Sequence, residues 1–186
     1  MNTGLIAGRY ATALLGFAEE KKSAELVYKE AKTVTSQYLL VPELRSALES
    51  PVLPESEKQK IIYAAAGNKV SGTFEKFVGL VLDNKRENHL QNILLKYIDI
   101  YRKKQNIHYA KLITALPVDK STENRLMNLV HENTGGTVEF EKHTDKEILG
   151  GFILEVDFLR WDASIYHQLQ QIKNEYISKN KRTLNN

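Results

Sequence analysis

The sequence predicts a mainly α-helical chain: an N-terminal six-helix bundle over residues 1–105, then a small α+β part of short strands and helices over 106–178, and a polar tail over 179–186. Three observations carry that reading. Apolar residues in the first hundred positions recur at helical spacing between short breaks. After Gln105 the texture changes to β-branched and alternating segments bounded by glycine and proline. With 42% hydrophobic and 26% charged residues, the 186-residue chain has the composition of a globular protein with a buried core.

The elements follow in order. Ile6, Tyr10, Ala13 and Phe17 recur at i, i+4, i+7 and i+11, on one face of a first helix, with Ala7, Ala11 and Leu14 on the neighbouring face. Ser23 is the expected cap of a second helix carrying Leu26, Val27, Ala31, Val34 and Tyr38. Pro42 interrupts the pattern, and a short helix with Leu44 and Leu48 follows. Pro51 and Pro54 bracket a turn. A helix from about Glu55 presents Ile61, Ile62 and Ala65, and Gly67-Asn68 is its expected C-terminal cap. From Ser71 to Asn84, Phe74, Phe77, Val78, Leu80, Val81 and Leu82 spread beyond a single 100° stripe. A helix apolar that far round is either central in its bundle or covered by another chain. Asn88 is the expected cap of an amphipathic sixth helix bearing Leu90, Ile93, Leu94, Tyr97, Ile98 and Tyr101.

Beyond Gln105, Tyr109 to Leu116 reads as a strand ending at Pro117, and Ser121 opens a helix stopped by Gly135-Gly136. Val138 and Phe140 alternate with Glu139 and Glu141 as in a half-buried strand. Gly150-Gly151 leads into a strand from Phe152 to Val156, with Phe158 to Trp161 as its return partner. A last helix carries Ile165, Leu169, Ile172 and Tyr176 at i, i+4, i+7 and i+11.

The same residues exclude several kinds of chemistry. Without cysteine there are no disulfides, thiolate metal sites or cysteine nucleophiles. No two of the five histidines have the i, i+4 spacing of a helical metal pair, and neither a G-x-S-x-G elbow nor a phosphate-binding glycine loop occurs. Asp157 and Asp162 read as turn carboxylates rather than an acid–base pair, and Trp161 as a packing anchor. Residues 1–105 hold 16 Lys and Arg against 12 Asp and Glu, for a charge of +4, while 106–186 carry −1. Neither half has the basic stripe that nucleic acid demands, and most of the nine tyrosines fall at core spacing. No apolar run reaches the roughly 18–20 residues that cross a bilayer, and Met1 to Ile6 lacks the basic start of a secretion signal. The expectation is a cytoplasmic connector that binds other proteins, needs no cofactor and performs no reaction.

The chain also resembles a known family, the delta subunit of bacterial F-type ATP synthases and its mitochondrial counterpart, the oligomycin-sensitivity-conferring protein. Arg9-Tyr10-Ala11-Thr12-Ala13-Leu14 with Phe17-Ala18 is similar to the family's opening R-Y-A-x-A-L pattern. Pro42-Glu43-Leu44-Arg45 with Leu48, Pro51 and Lys58 resembles its second signature, and Phe77, Leu82, Asn84 and Arg86 its F-x(4)-L-x-N-x-R stretch. Val138, Phe140, Asp145, Ile148-Leu149-Gly150-Gly151-Phe152 and Asp162-x-Ser164-Ile165 with Leu169 follow the C-terminal G-G-F…D-x-S-[IV] pattern in order. One departure stands out: Asp157-Phe158 occupies the turn where the family usually has Gly-Asp.

The resemblance implies a non-catalytic peripheral-stalk subunit of a proton-translocating ATP synthase, working in ATP synthesis and ion transport. It implies one copy per complex, monomeric in isolation, held on the cytoplasmic face of the bacterial membrane only through its partners. The N-terminal bundle is expected to bind the N-terminal helices of alpha subunits in a groove between its first and fifth helices. Carried over residue by residue, that groove is Ile6, Tyr10, Ala13, Phe17, Phe77, Leu80, Val81 and Asn84. The C-terminal part is expected to meet the membrane-anchored b subunits through its last helix and adjacent strands. The rival readings are a helical scaffold or nucleic-acid-binding adaptor unrelated to ATP synthase, and an enzyme of unknown type.

Overall fold

The computed structural model of the protein describes residues 3–157 and 159–183. It divides into two compact units, Met1–Gln105 and Asn106–Asn186.

The first unit is built from six helices: α1 (Thr3–Glu20), α2 (Ala24–Leu40), α3 (Glu43–Glu49), α4 (Glu55–Ala65), α5 (Gly72–Asp83) and α6 (Leu90–Gln105). Its core is centred on α6. Leu90, Ile93, Leu94 and Tyr97 lose all solvent contact there, and Ala11, Leu14 and Ala18 of α1 and Val27, Ala31 and Val34 of α2 are buried with them. Two polar features fix the depth of this packing. The Tyr97 hydroxyl, too deep for water, donates to the Ala24 carbonyl at 2.9 Å, and Tyr28 stacks on Tyr101 with centroids 4.5 Å apart.

Helix ends are closed by a repeated device. After α1, α4 and α5 the chain turns through a left-handed residue, and the next N–H returns to the last helical turn. The bonds are Ser23 to Ala18 (2.8 Å), Asn68 to Tyr63 (2.9 Å) and Arg86 to Val81 (2.9 Å). Gly67 takes the left-handed position after α4, as its sequence predicts, whereas Lys22 and Lys85 take it after α1 and α5.

Other caps differ from expectation. Ser23 makes no capping bond to α2. Its hydroxyl instead lies 3.3 Å from the Ala18 carbonyl and 2.8 Å from the Thr73 hydroxyl, joining the α1–α2 turn to the start of α5. Asn88 does not cap α6, because Glu87–His89 forms a 3-10 turn that runs directly into it. Ser71 does cap α5, accepting the Phe74 N–H at 3.2 Å. The wide apolar face of α5 is mostly answered inside the bundle. Phe74, Phe77, Val78, Val81 and Leu82 are buried, and Leu80 alone among its expected apolar residues is exposed, at 50%.

The second unit is a four-stranded sheet with two helices. Strands β1 (Ile107–Thr114), β2 (Thr137–Thr144), β3 (Phe152–Val156) and β4 (Leu159–Asp162) lie in the order β2-β1-β3-β4, with α7 (Lys120–Thr134) between β1 and β2 and α8 (Ile165–Thr183) last. β1 starts two residues earlier than predicted and stops at Thr114. β1 and β2 pair in parallel and the other pairs are antiparallel, with Leu112 facing Leu154 and Leu154 facing Trp161. Ala110, Leu112, Val130, Leu154 and Val156 form the buried cluster.

α7 opens one residue before Ser121 and is capped by Asp119, whose carboxylate accepts the N–H groups of Ser121 and Thr122 and the Thr122 hydroxyl at 2.6 Å. That hydroxyl, above all, holds the Asp119 carboxyl below its ordinary range. Gly135 ends α7 at φ 67°. The polar tail expected from residue 179 opens inside α8, which runs to Thr183, and Phe158 lies outside the described residues.

Candidate docking groove on the helical unit

The hydroxyls of Ser23, in the turn after α1, and Thr73, in the first turn of α5, lie 2.8 Å apart and bring the end of α1 to the start of α5. Between the two helices lies an open groove of about 520 Å³, lined by Arg9, Tyr10, Ala13, Leu14, Phe17, Lys76, Phe77 and Leu80. Its shape follows from side-chain size. On α1, Ala13 leaves a gap between the rings of Tyr10 and Phe17, one turn away on either side. Leu14 and Phe77, both buried, close the floor, and the exposed Leu80 forms one wall. The floor is apolar and open to solvent, an arrangement suited to receiving another apolar surface.

The structure brings together Tyr10, Ala13, Phe17, Phe77 and Leu80 of the residues expected there. Ile6 is half-buried on α1 outside the groove, Val81 is fully buried in the bundle core, and Asn84 is exposed at the C-terminal end of α5. The Asn84 side chain donates to the Leu80 carbonyl at 2.7 Å, so its amide serves the helix end. Three lining residues were absent from the sequence-derived set. Leu14 reads as part of the neighbouring face, and Arg9 and Lys76 are polar residues that an apolar periodicity passes over. A helical-wheel placement of Arg9 beside Ala13 (i, i+4) was the available signal.

Elsewhere, the ionisable groups serve the fold. The Asp157 carboxylate accepts the Tyr109 N–H at 3.1 Å and lies 2.7 Å from Nδ1 of His108. These contacts hold Asp157 at φ 51°, the conformation a glycine adopts freely. Asp162 accepts the Ser164 hydroxyl at 2.6 Å, which keeps its carboxyl below the ordinary range, while the Ser164 oxygen accepts the His167 N–H at the start of α8. Among the described residues no cluster of three or more His, Asp or Glu is placed to hold a metal, and no helix is long and apolar enough to cross a membrane.

On the second unit the apolar stripe of α8 faces outward. Ile165, Leu169, Ile172 and Tyr176 are 45%, 53%, 63% and 68% exposed. Together they form an apolar stripe along α8 that is open to solvent in this unit.

A grooved helical bundle followed by a small sheet unit with an uncovered apolar helix defines a two-part helical adaptor. The chain belongs to the ATP synthase delta (OSCP) subunit family, whose model matches residues 6–176. It is similar to ATP synthase subunit delta of Phocaeicola vulgatus, at 45% identity over 98% of this chain and 99% of that one. The corresponding protein of Bacteroides thetaiotaomicron is 41% identical over the same shares. Among solved structures, a chain of the Toxoplasma gondii mitochondrial ATP synthase hexamer shares the fold, with a TM-score of 0.70 at 19% identity over 92% of this chain and 97% of that one. The protein is thus a non-catalytic peripheral-stalk subunit of an F-type ATP synthase, a peripheral part of a membrane-associated complex.

Proposed function

We propose that the α1/α5 groove holds the N-terminal helix of an alpha subunit, and that the second unit meets the membrane-anchored b subunits through α8 and the neighbouring strands. The chain then ties the catalytic head to the membrane anchor on the cytoplasmic face, one copy per complex. Torque from the rotating central stalk would otherwise turn the head idly. A stator carries that load through interfaces and needs no reaction centre. The observation supporting the head-side contact is the meeting of Tyr10, Ala13, Phe17, Phe77 and Leu80 around one open groove. Ala13 is the point of closest approach for an entering helix, since its methyl is the smallest side chain between two rings.

The test is calorimetric titration of the intact protein with a peptide of the alpha N-terminal segment. Ala13→Asp buries a charge in the groove and is expected to weaken binding by more than about 2 kcal/mol. Because Ala13 is exposed in the free protein, the fold itself tolerates the change. Unchanged affinity with an unchanged circular dichroism spectrum overturns the groove assignment.

A further inference from the structure

We infer that the α1/α5 groove selects its helix by charge as well as by shape: the occupant flanks its apolar stripe with carboxylates that meet Arg9 and Lys76. This rests on the reading of the groove as a docking site.

The groove has two cations at its edge, Arg9 from α1 and Lys76 from α5, and no acidic residue in its lining. Both side chains are exposed, and neither forms a hydrogen bond or ion pair among the described residues. Their own helices offer them nothing. The positions three and four away from Arg9 are Leu5, Ile6, Thr12 and Ala13; those around Lys76 are Gly72, Thr73, Gly79 and Leu80.

Several other lysines of the same unit are ion-paired. Lys29 meets Glu25 at 2.6 Å, Lys60 meets Glu57 at 2.9 Å, Lys96 meets Asp99 at 2.7 Å and Lys104 meets Glu19 at 2.7 Å. Lys22, Lys69, Lys85 and Arg86 also form no ion pair among the described residues, so what distinguishes Arg9 and Lys76 is their place: both edge an uncovered apolar channel where an incoming helix would lie. As that helix excludes water, attraction to a carboxylate strengthens and repulsion of a lysine grows.

Three synthetic helical peptides test this, sharing one leucine stripe and differing only in flanking residues: Glu, Gln or Lys. Each is titrated into the intact protein at about 20 mM and about 300 mM salt. The expected order of affinity is Glu, then Gln, then Lys, with Glu over Gln by about five- to tenfold at low salt and the gap closing at high salt. The double variant Arg9→Gln/Lys76→Gln is expected to erase the order among the three peptides. Equal affinity for the Glu and Lys peptides, or an order that survives in the double variant, overturns charge selection and leaves the groove as a docking site. If the Gln peptide fails to bind, or binds equally well to Ala13→Asp, the docking reading falls and this inference with it.

Discussion

The Glu30 carboxylate on α2 grips Ser71, the first residue before α5, accepting both its backbone N–H and, at 2.8 Å, its hydroxyl. Glu30 is buried, at 4% exposure, and the bond crosses 41 residues of sequence to fix where one wall of the groove begins. Replacing it by Gln leaves one acceptor oxygen where two served. The expected loss is about 1–2 kcal/mol in urea unfolding followed by circular dichroism.

The same residue sets a pH dependence. Burial pushes the Glu30 carboxyl above its usual value, against the opposing effect of the Ser71 hydrogen bonds. A raised folded-state pKa means that the folded protein holds this proton more tightly than the unfolded chain. Its stabilising contribution is complete below the ordinary carboxylate pKa and is lost as pH rises through the folded-state value. The lead of wild type over Glu30→Gln is therefore expected to shrink as pH rises through and above the ordinary carboxylate range. A lead that widens over that range would contradict this account.

Lys58 and Glu87 form a second buried link, at 2.6 Å with 6% and 17% of their side chains exposed, and Oε2 of Glu87 has no hydrogen-bond partner. Lys58→Ala leaves the carboxylate buried and uncompensated, and is expected to cost about 3–5 kcal/mol. Adding Glu87→Leu removes the stranded charge and is expected to restore most of that loss. A double-mutant cycle on unfolding midpoints reads both values.

In the second unit, Gly150 and Gly151 part company. Gly151 sits at φ +73°, and a Cβ there would run into the Ala163 backbone carbonyl; at Gly150 a Cβ would meet Cδ1 of Ile165 at 2.7 Å, the movable end of a side chain. Gly151→Ala is expected to cost about 2 kcal/mol or more, Gly150→Ala less than about 1 kcal/mol. Trp161, the single tryptophan, stands on β4 as the fluorescence probe.

Truncation after Gln105 removes none of the helices that bury α6, nor any residue lining the groove. The shortened chain is expected to stay helical, to melt cooperatively and to bind the alpha peptide with the intact protein's affinity. An unfolded fragment on circular dichroism would show that the bundle depends on the second unit.

Much of this was legible because apolar spacing is a local signal. The six N-terminal helices and the left-handed Gly67 and Gly135 all follow from residues within a turn of one another. Caps at Ser23 and Asn88 misled because a hydroxyl or amide near a helix start has competing partners. Thr73 claimed Ser23, and a 3-10 turn absorbed Asn88. Most of the groove was legible from α1 periodicity and the family pattern. Val81 was not separable from Leu80 in sequence, since adjacent residues on a helix differ by about 100° and only the packing of α5 decides which faces inward. Arg9 and Lys76 escaped for a different reason: their meaning lies in the carboxylates that are missing around them.

Only Asn106, at φ 52°, separates the last residue of α6 from the first of β1. α6 carries four residues without solvent contact at the centre of its unit's core, and β1 is an interior strand, hydrogen-bonded on both sides. Tension along the covalent chain therefore enters each unit at its centre and not at a flap. To pull either end free, a force must shear a full helix out of its packing or break two ladders of hydrogen bonds together, whereas a peripheral attachment would peel one contact at a time.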